Sequence, residues 1–128
     1  MIISNARIQV VEDDPVMLAY LVRLLRRMDI EDIETCIDGG SALDLIEHYK
    51  PDLVLADIHM FPVNGFEFVQ QLRQHKRMEL RNTRVIFVSA DSSISSLNDA
   101  LPLGILSYIV KPPTLETLRS KLEMALSQ

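Results

Sequence analysis

Apolar runs of the length of a buried strand recur along the chain at Ile8–Val11, Ile33–Ile37, Leu53–Ala56, Val85–Val88 and Leu106–Val110, and they are rich in Val and Ile. Between them the apolar positions change to a helical period. Leu18, Leu21, Leu25 and Met28 fall on one face of one segment, and Leu115, Leu118, Leu122 and Leu126 form a second stripe near the end. The boundaries carry matching signals: Asp14-Pro15 reads as an N-cap followed by the first helical residue, and Pro113-Thr114 opens the last helix with Glu116 in its first turn. "DGG" at Asp38 to Gly40 reads as a turn ahead of a helix. Successive strands are far enough apart for a helical crossover, so the pattern predicts a parallel sheet with helices on both faces, an α/β fold of five βα units.

Composition narrows this picture. With 128 residues, 48% of them hydrophobic and 24% charged, the chain is expected to form one compact globular domain over residues 1–128, and no linker, repeat or low-complexity run divides it. No apolar stretch approaches the ~20 residues of a membrane span, and "MIISNARIQ" lacks the layout of a secretion signal, so the expected location is cytoplasmic with no membrane role. A net charge of −5, with acids and bases interspersed, argues against direct nucleic-acid binding. Cys36 is the only cysteine, which excludes an internal disulfide and four-thiolate metal sites and leaves a buried thiol as its plain reading. The three histidines, His48, His59 and His75, show no zinc spacing, and His48 and His75 read as solvated helix residues.

The polar residues that end the strands carry the chemistry. In an open parallel α/β sheet, ligands bind beyond the carboxyl ends of the strands. The first strand ends in Glu12 and Asp13 of "VVEDDPVM", the third in Asp57 of "PDLVLAD", the fourth in Ser89 of "VIFVSAD" and the fifth in Lys111 of "SYIVKPP". Taken singly, each is explained by loops being wet. Together, acids on two strand ends, a hydroxyl on a third and a lysine on a fourth describe a pocket for a hard cation and an anion. Two carboxylates about 4 Å apart repel by roughly 4 kcal/mol at an effective dielectric near 20, and a divalent cation relieves that repulsion. All-oxygen ligands suit Mg²⁺ or Mn²⁺ better than zinc.

This ordered set, Glu12/Asp13, Asp57, Ser89 and Lys111-Pro112, resembles the receiver domain of bacterial two-component response regulators, of the kind found in chemotaxis regulators, from Arg7 to near Ser127. The resemblance implies a flavodoxin-like fold with strand order 2-1-3-4-5. It further implies a phosphorylation switch rather than an enzyme with an external substrate, its only chemistry being its own phosphorylation and dephosphorylation. Asp57 would accept a phosphoryl group from a histidine kinase or a histidine phosphotransfer protein. Mg²⁺ (or Mn²⁺) would be held by Asp13, Asp57 and the main-chain carbonyl of His59, with Glu12 acting mostly through water. Lys111 and Ser89 would hold phosphoryl oxygens, and Lys111-Pro112 would be a cis peptide. Ser89 and Tyr108 would be the moving parts, with Ala90 leaving room for the motion. The readout would be the surface of the fourth helix, fifth strand and fifth helix, offered to an output protein, a fused output domain or a second copy of the chain.

Departures from the family pattern carry their own expectations. In "DIHMFPVNG", Phe61 stands where the family has proline and Pro62 follows one later, while Gly65 keeps its spacing, so the loop backbone is expected to differ locally. His59 and Asp91 occupy positions that in receivers tune the lifetime of the acyl phosphate. Ser92, Ser93 and Ser96 read as small exposed positions of the fourth helix. Two other functions compete. A Mg²⁺-dependent phosphohydrolase of the haloacid-dehalogenase type would want a second aspartate where His59 stands, and a receiver that acts only by protein binding would have no need of the acidic cluster.

Overall fold

The five apolar runs become the strands of one parallel sheet: β1 (Ile8–Val11), β2 (Ile33–Cys36), β3 (Leu53–Ala56), β4 (Arg84–Ser89) and β5 (Ser107–Val110), in the order β2-β1-β3-β4-β5. The computed structural model describes residues 1–127. β1 and β3 are interior strands buried along their whole length, which is why they read as unbroken apolar runs. β2 lies at an edge and keeps Glu34 and Thr35 exposed. It stops at Cys36, one residue short of the predicted end, and Ile37 is solvent-facing.

Among the described residues the chain forms six α-helices rather than five: α1 (Pro15–Arg27), α2 (Gly39–Tyr49), α3 (Gly65–Arg73), α4 (Met78–Arg81), α5 (Ile94–Ala100) and α6 (Leu115–Leu126). The added one, α4, is a single turn that buries only Leu80, too short to show a period in the sequence. α5 and α6 are therefore the fourth and fifth helices expected from the sequence. The helices cover both faces of the sheet. Ile8, Val10, Leu53, Leu55, Ile86 and Val88 pack with Leu21, Leu25, Leu118 and Leu122 of α1 and α6. The alternate strand residues, Val11, Val54, Ala56, Val85 and Phe87, pack with Ile46, Phe68, Leu72 and Ala100 of α2, α3 and α5. Both predicted stripes face the core, with Leu18 and Leu115 at its margin.

The caps agree closely with the sequence signals. Asp14 accepts from the Val16 N–H at 3.0 Å ahead of Pro15, and Thr114 accepts from the Thr117 N–H at 3.1 Å. Asn64 and Glu67 close a reciprocal capping box on α3. Asp38 caps α2 through the Ser41 N–H at 2.9 Å, so Gly39 and Gly40 are the first residues of that helix and not a turn before it. His48 is exposed on α2 as expected, but His75 sits in the turn after α3 with its ring 2.9 Å from Glu47. Cys36 is buried, and burial pushes its thiol up to about 11. Among the described residues no helix is long and apolar enough to cross a membrane.

Candidate functional site

Because β1, β3, β4 and β5 run side by side in one direction, their carboxyl ends lie along one rim. The register pairs Val11 with Ala56, Ala56 with Phe87 and Ser89 with Val110. One further backbone bond beyond the strand end anchors the next residue of β1, β3 and β5. The Asp57 N–H reaches the Val11 carbonyl, the Glu12 N–H the Cys36 carbonyl and the Lys111 N–H the Ser89 carbonyl, each at 2.9 Å. Segments distant in sequence thus deliver their polar residues to one place.

Glu12, Asp13 and Asp57 each offer a carboxylate oxygen, and these oxygens lie within 4.8 Å of one another. Glu12 is 1% exposed and Asp57 7%, while Asp13 faces solvent. Lys111 reaches between them, its Nζ 2.5 Å from Glu12 Oε1 and 3.2 Å from Asp57 Oδ2. Burial raises the Glu12 carboxyl above its ordinary value, and the Lys111 ammonium and the Asp14 N–H offset this only in part. For Lys111 burial works downward, but the two carboxylates outweigh it and hold the ammonium above its usual range. The Ile58 N–H donates to Asp57 Oδ1 at 2.7 Å, which fixes the carboxylate plane.

A close backbone approach supports Asp57 from below. The Gly65 N–H donates to the Ile58 carbonyl at 2.7 Å, and a Cβ on Gly65 would stand 2.3 Å from the Asp57 carbonyl oxygen. Only glycine fits there, which accounts for its spacing from Asp57. The intervening loop holds a cis bond at Phe61–Pro62 and leaves the Phe61 ring 87% exposed. Lys111–Pro112 is cis as well.

Ser89 is fully buried at the end of β4, and its Oγ accepts from the Asp91 N–H at 3.1 Å. Half-buried Tyr108 on β5 donates its hydroxyl to the Asp91 carbonyl, and its ring meets Phe87 edge-on at 6.3 Å. Burial raises the Tyr108 phenol above its ordinary value. The His59 ring turns to Asp91, with Nε2 2.7 Å from Oδ2. Ser96 Oγ donates to the same oxygen at 2.5 Å and the Ser93 N–H to Oδ1 at 2.9 Å. These bonds, Ser96 first and then His59 and Ser93, hold the Asp91 carboxyl well below the usual carboxylate range.

Asp91 is therefore a hub joining His59, Ser89, Tyr108 and the first turn of α5, a role that sequence spacing alone does not carry. A hint lies in "SADSSISS", where an acid precedes a run of hydroxyl residues able to cap a helix. The expectation that Ser92, Ser93 and Ser96 are exposed helix positions is corrected in two ways. Ser92 and Ser93 precede α5, with Ser93 as its N-cap, and Ser96 is buried by its bond to Asp91.

The three carboxylates form an oxygen-only donor set of the kind that hard divalent cations take. The family model described as "Response regulator receiver domain" matches residues 8–123. Chemotaxis protein CheY-3 of Vibrio cholerae is 29% identical over 94% of this chain and 91% of its own length. The two-component response regulator ARR2 of Arabidopsis thaliana is 34% identical over 91% of this chain, which spans 17% of that protein. A protein-glutamate methylesterase/protein-glutamine glutaminase of Nitrosospira multiformis is 34% identical over 80% of this chain, which spans 29% of it. Among solved structures, chemotaxis protein CheY4 of Vibrio cholerae superimposes with a TM-score of 0.84 at 25% identity, covering 94% of this chain and 98% of that one. The receiver domain of sensor histidine kinase PA1611 of Pseudomonas aeruginosa, which has a magnesium ion coordinated in its active site cleft, does so with 0.86 at 22% identity, covering 96% and 98%. A match that runs from the first residue of β1 into α6, on a sheet of this order and with this acidic rim, makes the chain a member of the response regulator receiver domain family.

Proposed function

We propose that residues 1–128 act as a single receiver unit, a phosphorylation switch in the cytoplasm whose phosphoacceptor is Asp57. The observation that carries this reading is the meeting of Glu12, Asp13 and Asp57 with the Lys111 ammonium at the carboxyl rim of the sheet. Asp13, Asp57 and the His59 carbonyl, with Glu12 nearby, would hold Mg²⁺ or Mn²⁺; the Pseudomonas receiver domain coordinates magnesium in its cleft. When bound, the ion neutralises charge on the transferring phosphoryl group.

The Asp57 carboxylate needs no general base. One of its oxygens bonds to phosphorus as the bond from phosphorus to the donor imidazole nitrogen breaks, and that nitrogen keeps the electron pair and is protonated from solvent. Lys111 exchanges its carboxylate partners for the phosphoryl oxygens. Ser89 turns its hydroxyl from the Asp91 N–H toward the same oxygens, and Tyr108 moves with it. This changes the face of α5, β5 and α6, where Ile94, Leu101 and Val110 are exposed and ready for an output protein, a fused output domain or a second copy. The donor, a histidine kinase or histidine phosphotransfer protein, docks beside the rim on α1. There Pro15, Leu18, Ala19 and Val22 line a groove fringed by Arg23, Arg26 and Arg27.

Incubation with acetyl phosphate and Mg²⁺, followed by intact mass measurement, tests the reading. Wild type should gain one phosphate, and Asp57→Asn or a chelated sample should gain none. Uptake by Asp57→Asn, or no uptake by wild type, contradicts it, and turnover of added phosphoesters would favour a hydrolase instead.

A further inference from the structure

We propose that Tyr20 is a positioning residue for Lys111, acting through the main-chain carbonyl of Pro113. The inference rests on the proposed function, in which Lys111 holds the transferring phosphoryl group. Tyr20 lies on α1 with its ring against the core shared by α1 and α6, and its Oη donates to the Pro113 carbonyl at 2.6 Å, joining positions 93 residues apart. Pro112 and Pro113 have no N–H, so the backbone between Lys111 and Thr114 has only acceptors to offer.

Such a segment cannot fix itself through its own ladder. Its upstream anchor is the Lys111 N–H on the Ser89 carbonyl at 2.9 Å, and its downstream anchor is the Thr114 cap on α6. Between the two, Pro113 is buried and its carbonyl is taken by the Tyr20 hydroxyl. Lys111 leaves the backbone two residues before that carbonyl and must bring Nζ to both Glu12 and Asp57. Loosening the Pro112-Pro113 segment lets the base of the lysine drift, and a small error at a charged group that must meet a transition state lowers the rate. Among the described residues the Tyr20 hydroxyl bonds to the Pro113 carbonyl and to no carboxylate of the site, so its effect passes through Lys111.

Initial rates of phosphorylation by acetyl phosphate are compared for wild type, Tyr20→Phe, Lys111→Ala and the double variant, with Mg²⁺ affinity measured in each. Tyr20→Phe should be about two- to ten-fold slower, the span that loss of one hydrogen bond allows, with Mg²⁺ affinity unchanged. In the Lys111→Ala background the same substitution should have no further effect. Tyr20→Leu, which keeps an apolar filling on that face of α1, should match Tyr20→Phe, and it replaces that variant if the latter does not fold. An unchanged rate, or an equal slowing with and without Lys111, overturns the inference, because a purely structural role acts independently of the lysine. Wild type that takes no phosphate at all is a different outcome, which fails the underlying reading and takes this inference with it.

Discussion

At the scale of single residues the site balances one ammonium against several carboxylates. Lys111 is what makes the burial of Glu12 and Asp57 tolerable, and removing one partner of a buried pair leaves the other charge uncompensated. Lys111→Ala should therefore be less stable and take phosphate on Asp57 more slowly, and, once phosphorylated, lose the coupled change at α5, β5 and α6. Amide chemical shifts of that face before and after phosphorylation check this, and a full shift pattern in the variant would contradict it. Asp91 gives a pH test. Its folded value lies below the ordinary 3.8, so its contribution is present above that value and is lost as the pH falls further. Asp91→Asn should melt at a lower temperature than wild type at pH 7, and the gap should narrow in acid below the ordinary carboxylate value. The strand-end residues are legible in the sequence because each directly succeeds an apolar run. The partners of Asp91 are not, since they depend on how two loops fold toward each other.

At the scale of elements, the loop after Asp57 stays in place through a backbone contact that tolerates no side chain. Gly65→Ala would put a Cβ 2.3 Å from the Asp57 carbonyl oxygen and 2.8 Å from the Ile58 Cα. Overpacking of this kind costs about 1–3 kcal/mol, so denaturant melts should show a loss in that range, and the displaced Asp57 should be phosphorylated more slowly. A variant with wild-type stability and rate would mean that the loop yields freely. Asp14, Thr114 and Pro15 mark their helix ends in the sequence because capping chemistry is local. α4 and the turn that holds His75 leave no such mark, because a single turn with one buried leucine has no period to detect. Gly39 has the sequence signature of a turn residue, but the helix begins there, where its N–H meets the Val63 carbonyl at 3.0 Å and a Cβ would collide with Val63.

At the scale of the whole molecule, strand order decides the chemistry. Four acidic, hydroxyl and cationic strand ends converge because β1, β3, β4 and β5 are neighbours in one parallel sheet, and the layers on either side hold them there. This convergence is legible from apolar runs alternating with helix-length gaps, whereas the order itself comes from the family resemblance. Binding at such a rim is linked to folding. At one hundred times its dissociation constant, Mg²⁺ should stabilise the fold by about 2.7 kcal/mol, read as a rise in melting temperature of several degrees that Asp13→Asn diminishes. Equal shifts in both proteins would place the cation elsewhere. The most direct test of the central claim is to treat the acetyl phosphate product with borohydride, which reduces an aspartyl phosphate to homoserine, and to sequence the peptides. Homoserine at position 57 alone is the predicted result; homoserine at another carboxylate, or none while phosphate is retained, would contradict it.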